Sequence, residues 1–153
     1  MKSLVIDKRV IRNNIKAIKD RADGAAIYAD LSANAYGMGL WEVAQLLRDE
    51  GIRNFVVSDP KDAALLRKNG FTEERLMMLR STADPVELTE LIDLGVICTV
   101  GSYDAAVALN GIAEARGTVC EVQIKIDTGL GRYGFDPSEP VSYTHLDVYK
   151  RQA

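Results

Sequence analysis

Short apolar runs alternate with helical patterns along most of this chain, and that alternation limits the fold more than any other feature. Residues 7–22 place Val10, Ile11, Ile15 and Ile18 at helical spacing behind Asp7, an N-cap residue, and Asp23-Gly24 ends the segment. Residues 25–33 have strand character, and Gly37-Met38-Gly39 makes a turn. A second amphipathic helix covers 40–50 and stops at Gly51. Further strands are expected at 52–58, 75–80, 96–100 and 119–127. Asp59-Pro60 and Asp84-Pro85 open two of the intervening helices, because proline is tolerated in a first helical turn. Those helices end at Asn69-Gly70 and at Gly95, and a last one runs from 103 to 116 with Gly117 closing it.

Strands that alternate with helices imply a parallel sheet with right-handed crossovers. Two α/β architectures fit: an open doubly wound sheet and a (β/α)8 TIM barrel. The doubly wound nucleotide fold calls for a glycine-rich phosphate turn after its first strand. Gly37-Met38-Gly39 matches it weakly, lacking a third glycine and coming late after the strand. A complete barrel runs to about 250 residues. The barrel reading is therefore a partial one, holding about the first five strand–helix units, and it requires further chain.

Composition narrows the class. With 47% apolar and 27% charged residues, the chain can bury a core and is not of a disordered type. Its net charge is −3 with the basic residues dispersed, which argues against a nucleic-acid partner. No apolar run approaches the roughly 20 residues of a bilayer span, so no membrane partner is expected. Neither a charged-then-apolar leader nor a cysteine framework is present; Cys98 and Cys120 are the two cysteines. A cytoplasmic location is expected, and no metal site.

The last fourteen residues, 140–153, break the rhythm and contain the single histidine, His145. This segment resembles a translated adapter or assembly scar and is set aside as a non-native tail. Residues 1–139 then hold no histidine, so acid–base work falls to Lys, Tyr, Asp, Glu or Cys.

Chemistry in a parallel barrel sits at the C-terminal ends of the strands. In 119–127, Val122, Ile124 and Ile126 should face covering helices, leaving Gln123, Lys125 and Asp127 inward. The bland alternative is an exposed edge strand. Thr128-Gly129-Leu130-Gly131-Arg132 follows, so Lys125, Asp127 and Arg132 are candidates to recognise an anion. In the first strand Ile27, Ala29 and Leu31 form the apolar set, and Tyr28, Asp30 and Ser32 the other. Asn34, Tyr36 and the two glycines lie at its mouth, where backbone N–H groups and a tyrosine hydroxyl suit a phosphate; the bland reading is simply a turn.

Two stretches carry a resemblance. Ala33-Asn34-Ala35-Tyr36-Gly37-Met38-Gly39 and Lys125-Ile126-Asp127-Thr128-Gly129-Leu130-Gly131-Arg132-Tyr133-Gly134-Phe135 are similar to the two N-terminal signatures of alanine racemases. Val5-Ile6-Asp7, Asn13-Asn14 and the strand with its Asp-Pro at 55–60 fit as well, and the likeness spans about residues 3–139. It implies an N-terminal eight-stranded barrel followed by a C-terminal β domain. It also implies a homodimer that uses pyridoxal 5′-phosphate to interconvert L- and D-alanine for cell-wall peptidoglycan.

The resemblance also implies roles. The residue before Ala33 is normally the lysine that forms the Schiff base and acts as one racemising base; here it is Ser32. Tyr36 matches the tyrosine on the cofactor phosphate. Arg132 matches the arginine near the cofactor's phenolic oxygen and the substrate carboxylate. Lys125 matches the lysine that orients that arginine. Met38 stands where many members have histidine, and Asp30 where an apolar residue is usual. The second base, a partner-subunit tyrosine, belongs to the C-terminal domain. A serine cannot form the imine, and an unpaired buried carboxylate at Asp30 is either costly or protonated. Three readings follow: an altered racemase product that is inactive as it stands, a non-catalytic cofactor-binding barrel or pseudoenzyme, and a barrel segment without its own function.

Overall fold

The computed structural model describes residues 5–138. The tail proposed at 140–153, and residues 3, 4 and 139 of the resemblance, lie outside these residues. The chain divides into two compact units between Leu76 and Met77.

In the first unit, Asp7 caps α1 (Lys8–Ala22) by accepting the Arg9 amide, and Asp23 ends it in the left-handed conformation. Strand β1 is only Tyr28–Asp30, shorter than the apolar run around it. Its continuation is diverted at once into α2 (Ser32–Tyr36), described with the site below. Helix α3 (Leu40–Asp49) buries Leu40, Val43, Ala44 and Leu46 on one face. Strand β2 (Asn54–Val57) pairs with β1 in parallel, Ala29 opposite Phe55 and Asp30 opposite Val56. Helix α4 (Pro60–Lys68) starts as expected, with Asp59 accepting the Lys61 amide. An aromatic cluster fills the unit's interior: Phe71 meets Phe55 edge-on at 5.5 Å and Trp41 at 5.6 Å. The Arg48 guanidinium lies over the Phe71 ring, 4.3 Å from its centroid, and approaches the buried Glu74 carboxylate at 4.0 Å. Phe55, Leu31, Val57, Leu66 and Phe71 are fully buried. Each such side chain contributes about 1.5–3 kcal/mol by leaving water.

Strand β3 (Arg75–Ser81) crosses the division between the units. At its start the Arg75 amide donates to the Arg53 carbonyl at 2.9 Å, next to β2. In the second unit, α5 (Pro85–Asp93) is capped by Asp84, which accepts the amides of Val86 and Glu87. Strand β4 (Ile97–Val100) is buried at every residue and pairs in parallel with β3, with an irregularity between Met77 and Ser81. Thr99 sits in this buried strand and donates its hydroxyl to the Met78 carbonyl at 2.5 Å. Helix α6 (Tyr103–Arg116) is capped by Ser102 and closed by Gly117. Strand β5 (Val122–Ile124) pairs in parallel with β4.

Strand order is therefore β1-β2-β3-β4-β5. A doubly wound nucleotide fold reverses its order at a switch point, whereas barrel strands follow the chain order. The barrel reading stands. The alternation expected in the last strand holds less well: Val122 and Ile124 are half-buried, but Ile126 is exposed and Gln123 faces solvent. The regular strand is three residues long, and no helix follows it among the described residues. No described helix is long and apolar enough to cross a membrane.

Candidate functional site

The first unit brings Asp30, Ser32 and Tyr36 together at the C-terminal end of β1. Asp30 Oδ1 accepts both the Ser32 amide at 2.9 Å and the Ser32 hydroxyl at 2.5 Å. Asp30 Oδ2 accepts the Tyr36 hydroxyl at 2.7 Å. The expectation of an unpaired, costly or protonated carboxylate is thus corrected. Burial pushes its pKa up, but the Ser32 hydroxyl, the Ser32 amide and the Tyr36 hydroxyl outweigh it, and the net shift is downward. Asp30 is a half-buried, ionised group with three donors.

The backbone makes this meeting feasible. Ala33, Asn34, Ala35 and Tyr36 all have φ between 52° and 57°, a turn of left-handed helix. L-residues resist this conformation by about 1–2 kcal/mol each, asparagine least. The turn is held by Ala35 N–H to Leu31 C=O at 2.8 Å and Gly37 N–H to Ala33 C=O at 3.0 Å. Ala35 is buried, which anchors it. Asn34 Oδ1 accepts the Leu40 amide at 2.7 Å and so supplies the cap that Gly39 cannot. The reversed handedness swings Tyr36 back over the strand end, where its ring stays 68% exposed while its hydroxyl reaches Asp30.

Gly37-Met38-Gly39 is the expected turn, but its amides are used internally. Gly37 donates to Ala33 and Asn34, Met38 to Ala35 and Gly39 to Asn34. The phosphate-cradle expectation at this loop is corrected accordingly: these three N–H groups already have carbonyl partners. Met38 is exposed.

The second unit holds Lys125, Asp127 and Arg132. Lys125 is half-buried and Arg132 exposed. Asp127 turns inward on its own loop and accepts the Gly129 amide at 3.0 Å and the Gly131 amide at 3.1 Å. These bonds hold its pKa below the ordinary carboxylate value. Its task is to shape the loop that presents Arg132. The loop closes through Asp127 N–H to Phe135 C=O and Phe135 N–H to Lys125 C=O, both 2.9 Å. Gly134 sits where a Cβ would lie 2.6 Å from the Asp127 nitrogen, so the two strands of the loop touch there. Among the described residues no group of three or more His, Cys, Asp or Glu could hold a metal.

Five parallel strands in chain order, linked through helices and carrying polar residues at the ends of β1 and β5, define a barrel-type α/β domain. The family model described as the N-terminal domain of alanine racemase matches residues 6–147, reaching into the segment from 140 onward. The chain belongs to that family. An alanine racemase of Desulforamulus reducens is 33% identical over 135 residues, which are 88% of this chain and 36% of that protein. The solved alanine racemase of Clostridium difficile 630, in complex with cycloserine, superposes with a TM-score of 0.84 at 30% identity, covering 94% of this chain and 39% of the other. A histidine racemase of Leuconostoc mesenteroides gives 0.82 at 25% identity, covering 93% and 37%. The chain spans about a third of the length of the curated relatives it matches.

Pyridoxal phosphate, implied by the sequence resemblance, does not fit the residues of the first unit. The resemblance asks for an amine at position 32 to meet the aldehyde, where Ser32 offers a hydroxyl that is bound to Asp30. The Tyr36 hydroxyl, which the resemblance assigns to the phosphate, is bound to the same carboxylate.

Proposed function

We propose that this chain is a non-racemising form of the N-terminal barrel of a pyridoxal-phosphate amino-acid racemase. The observation that carries the reading is the Ser32 hydroxyl, 2.5 Å from Asp30 at the position where the family pattern has its Schiff-base lysine. A serine hydroxyl carries no amine to condense with an aldehyde. Nor is it basic enough to take a substrate α-proton. Losing a group that is both nucleophile and base removes several kcal/mol of transition-state stabilisation.

Under this reading Tyr36 corresponds to the phosphate tyrosine, Arg132 to the arginine near the phenolic oxygen and substrate carboxylate, and Lys125 to the lysine that orients it. The parent activity is interconversion of L- and D-alanine for peptidoglycan by a cytoplasmic homodimer, with the second base supplied by the partner subunit's C-terminal domain. The fold does not choose alanine over other amino acids, since a histidine racemase matches it as well as alanine racemases do. The alternative of a non-catalytic cofactor-binding barrel gains no support, because Asp30 holds Tyr36.

The test is D-alanine formation by the purified 153-residue chain supplied with pyridoxal phosphate and L-alanine. No turnover is expected. Rates near those of an intact racemase would overturn the proposal.

A further inference from the structure

Asp30 is the least explained residue of the site. It sits at the end of β1, opposite Val56 of β2, and collects three donors: the Ser32 amide and hydroxyl, and the Tyr36 hydroxyl that the left-handed turn delivers. Further along the same segment, the amides of Gly37, Met38 and Gly39 are already turned to carbonyls. The Ser32 amide and the two hydroxyls are thus committed to Asp30, which brings a negative charge.

An anion that accepted the Tyr36 hydroxyl would have to displace Asp30 Oδ2 or share that proton with it. A phosphate oxygen at ordinary hydrogen-bond distance from the Tyr36 hydroxyl would stand about 4–5 Å from the carboxylate, given roughly 2.7 Å on each side. Like charges at that range in a half-buried site repel strongly. Sharing the hydroxyl is no escape, because a phenol has a single proton to donate.

We propose that Asp30 is a specificity-determining residue: its carboxylate acts as a built-in anion that occupies Tyr36 and closes the mouth of β1 to phosphorylated ligands. Uncharged or cationic small molecules are not so excluded. The inference rests on the assignment of Tyr36 to the phosphate position, and it adds that Asp30, independently of Ser32, blocks that position. Restoring a lysine at 32 while keeping Asp30 would not restore phosphate recognition.

The experiment measures binding of inorganic phosphate, pyridoxal 5′-phosphate and pyridoxal to the 153-residue chain by calorimetry, with circular dichroism confirming that each variant keeps its helices. The unmodified chain should bind pyridoxal at least as tightly as pyridoxal phosphate. Asp30→Asn, of the same shape, should tighten phosphate and pyridoxal phosphate about tenfold or more and leave pyridoxal unchanged. Tyr36→Phe added to Asp30→Asn should abolish that gain. Tyr36→Phe alone needs no second change: it should leave phosphate affinity unaltered, because the hydroxyl is already taken. Phosphate affinity unmoved by Asp30→Asn, or weakened by Tyr36→Phe alone, would overturn the inference. Racemisation by the unmodified chain would instead overturn the function proposed above while leaving the phosphate comparison to be judged on its own.

Discussion

Asp30 also ties stability to pH. Its folded pKa lies below its ordinary value, so the unfolded chain binds the proton more readily. The stabilisation is complete above the ordinary carboxylate pKa and is lost as pH falls through the folded value. The group is half exposed, so solvent screens it and the contribution is about 1 kcal/mol or less. Urea midpoints taken from neutral pH downward should fall more steeply below about pH 4 for the native chain than for Asp30→Asn. Parallel curves would show that the three hydrogen bonds do not persist in solution. Ala33 is exposed and left-handed at φ 52°, so Ala33→Gly should be neutral or stabilise by up to about 1 kcal/mol, the reverse of its effect in a right-handed helix. A loss of stability on that change would count against the left-handed turn. This turn was not legible in the sequence. Ala-Asn-Ala-Tyr contains only one residue that tolerates the conformation, and tertiary anchoring of Ala35 overrides the preference of the rest. The pairing of Asp30 with Tyr36 depends on that turn, which is why Asp30 read as an unpaired carboxylate.

Elements with punctuated ends were the legible part. Asp7, Asp59, Asp84 and Ser102 cap the helices that the sequence places behind them, because their oxygens reach amides two or three residues on. Asp84→Ala removes acceptors from two amides of α5 and should cost about 1 kcal/mol, read as a lowered denaturation midpoint. The strands were overextended: 25–33 and 119–127 each shrink to three regular residues, since the apolar alternation continues into segments held to the neighbouring strand by isolated bonds such as Leu31 N–H to Val56 C=O and Lys125 N–H to Val100 C=O. In the loop after β5, the glycine spacing signalled a turn but not the contact it makes. Gly134 has φ 123° and its missing Cβ leaves room for the Asp127 nitrogen. Gly134→Ala should therefore open this loop. Faster hydrogen exchange at the Asp127 and Phe135 amides is the expected sign, with a stability loss of about 1–3 kcal/mol. Unchanged protection would mean that the loop does not close on itself as described.

For the whole molecule, the strand order leaves β1 and β5 with one strand neighbour each among the described residues. Unpaired strand edges recruit other chains. Sedimentation of the 153-residue chain should show association with substantial helix content, and a monodisperse monomer with a sharp two-state transition would favour a self-contained open sheet. The fold was legible at this scale because alternation, parallel pairing and chain order are consequences of the same periodicity. Strand alternation and the turn that follows marked Lys125, Asp127 and Arg132 as candidates, but the particular roles proposed for Lys125, Arg132 and Tyr36 come only from likeness to the family. In the proposed reading the barrel scaffold persists while Ser32 stands in place of its amine. Borohydride reduction with pyridoxal phosphate, followed by peptide mass spectrometry, tests it most directly in the native chain and in a chain carrying Asp30→Val with Ser32→Lys, completed with the barrel strands and C-terminal domain of a relative. No pyridoxyl adduct is expected at position 32 in the native chain, and an adduct is expected there in the completed double variant. An adduct on Lys125 of the native chain, or none at position 32 of the double variant, would contradict that reading.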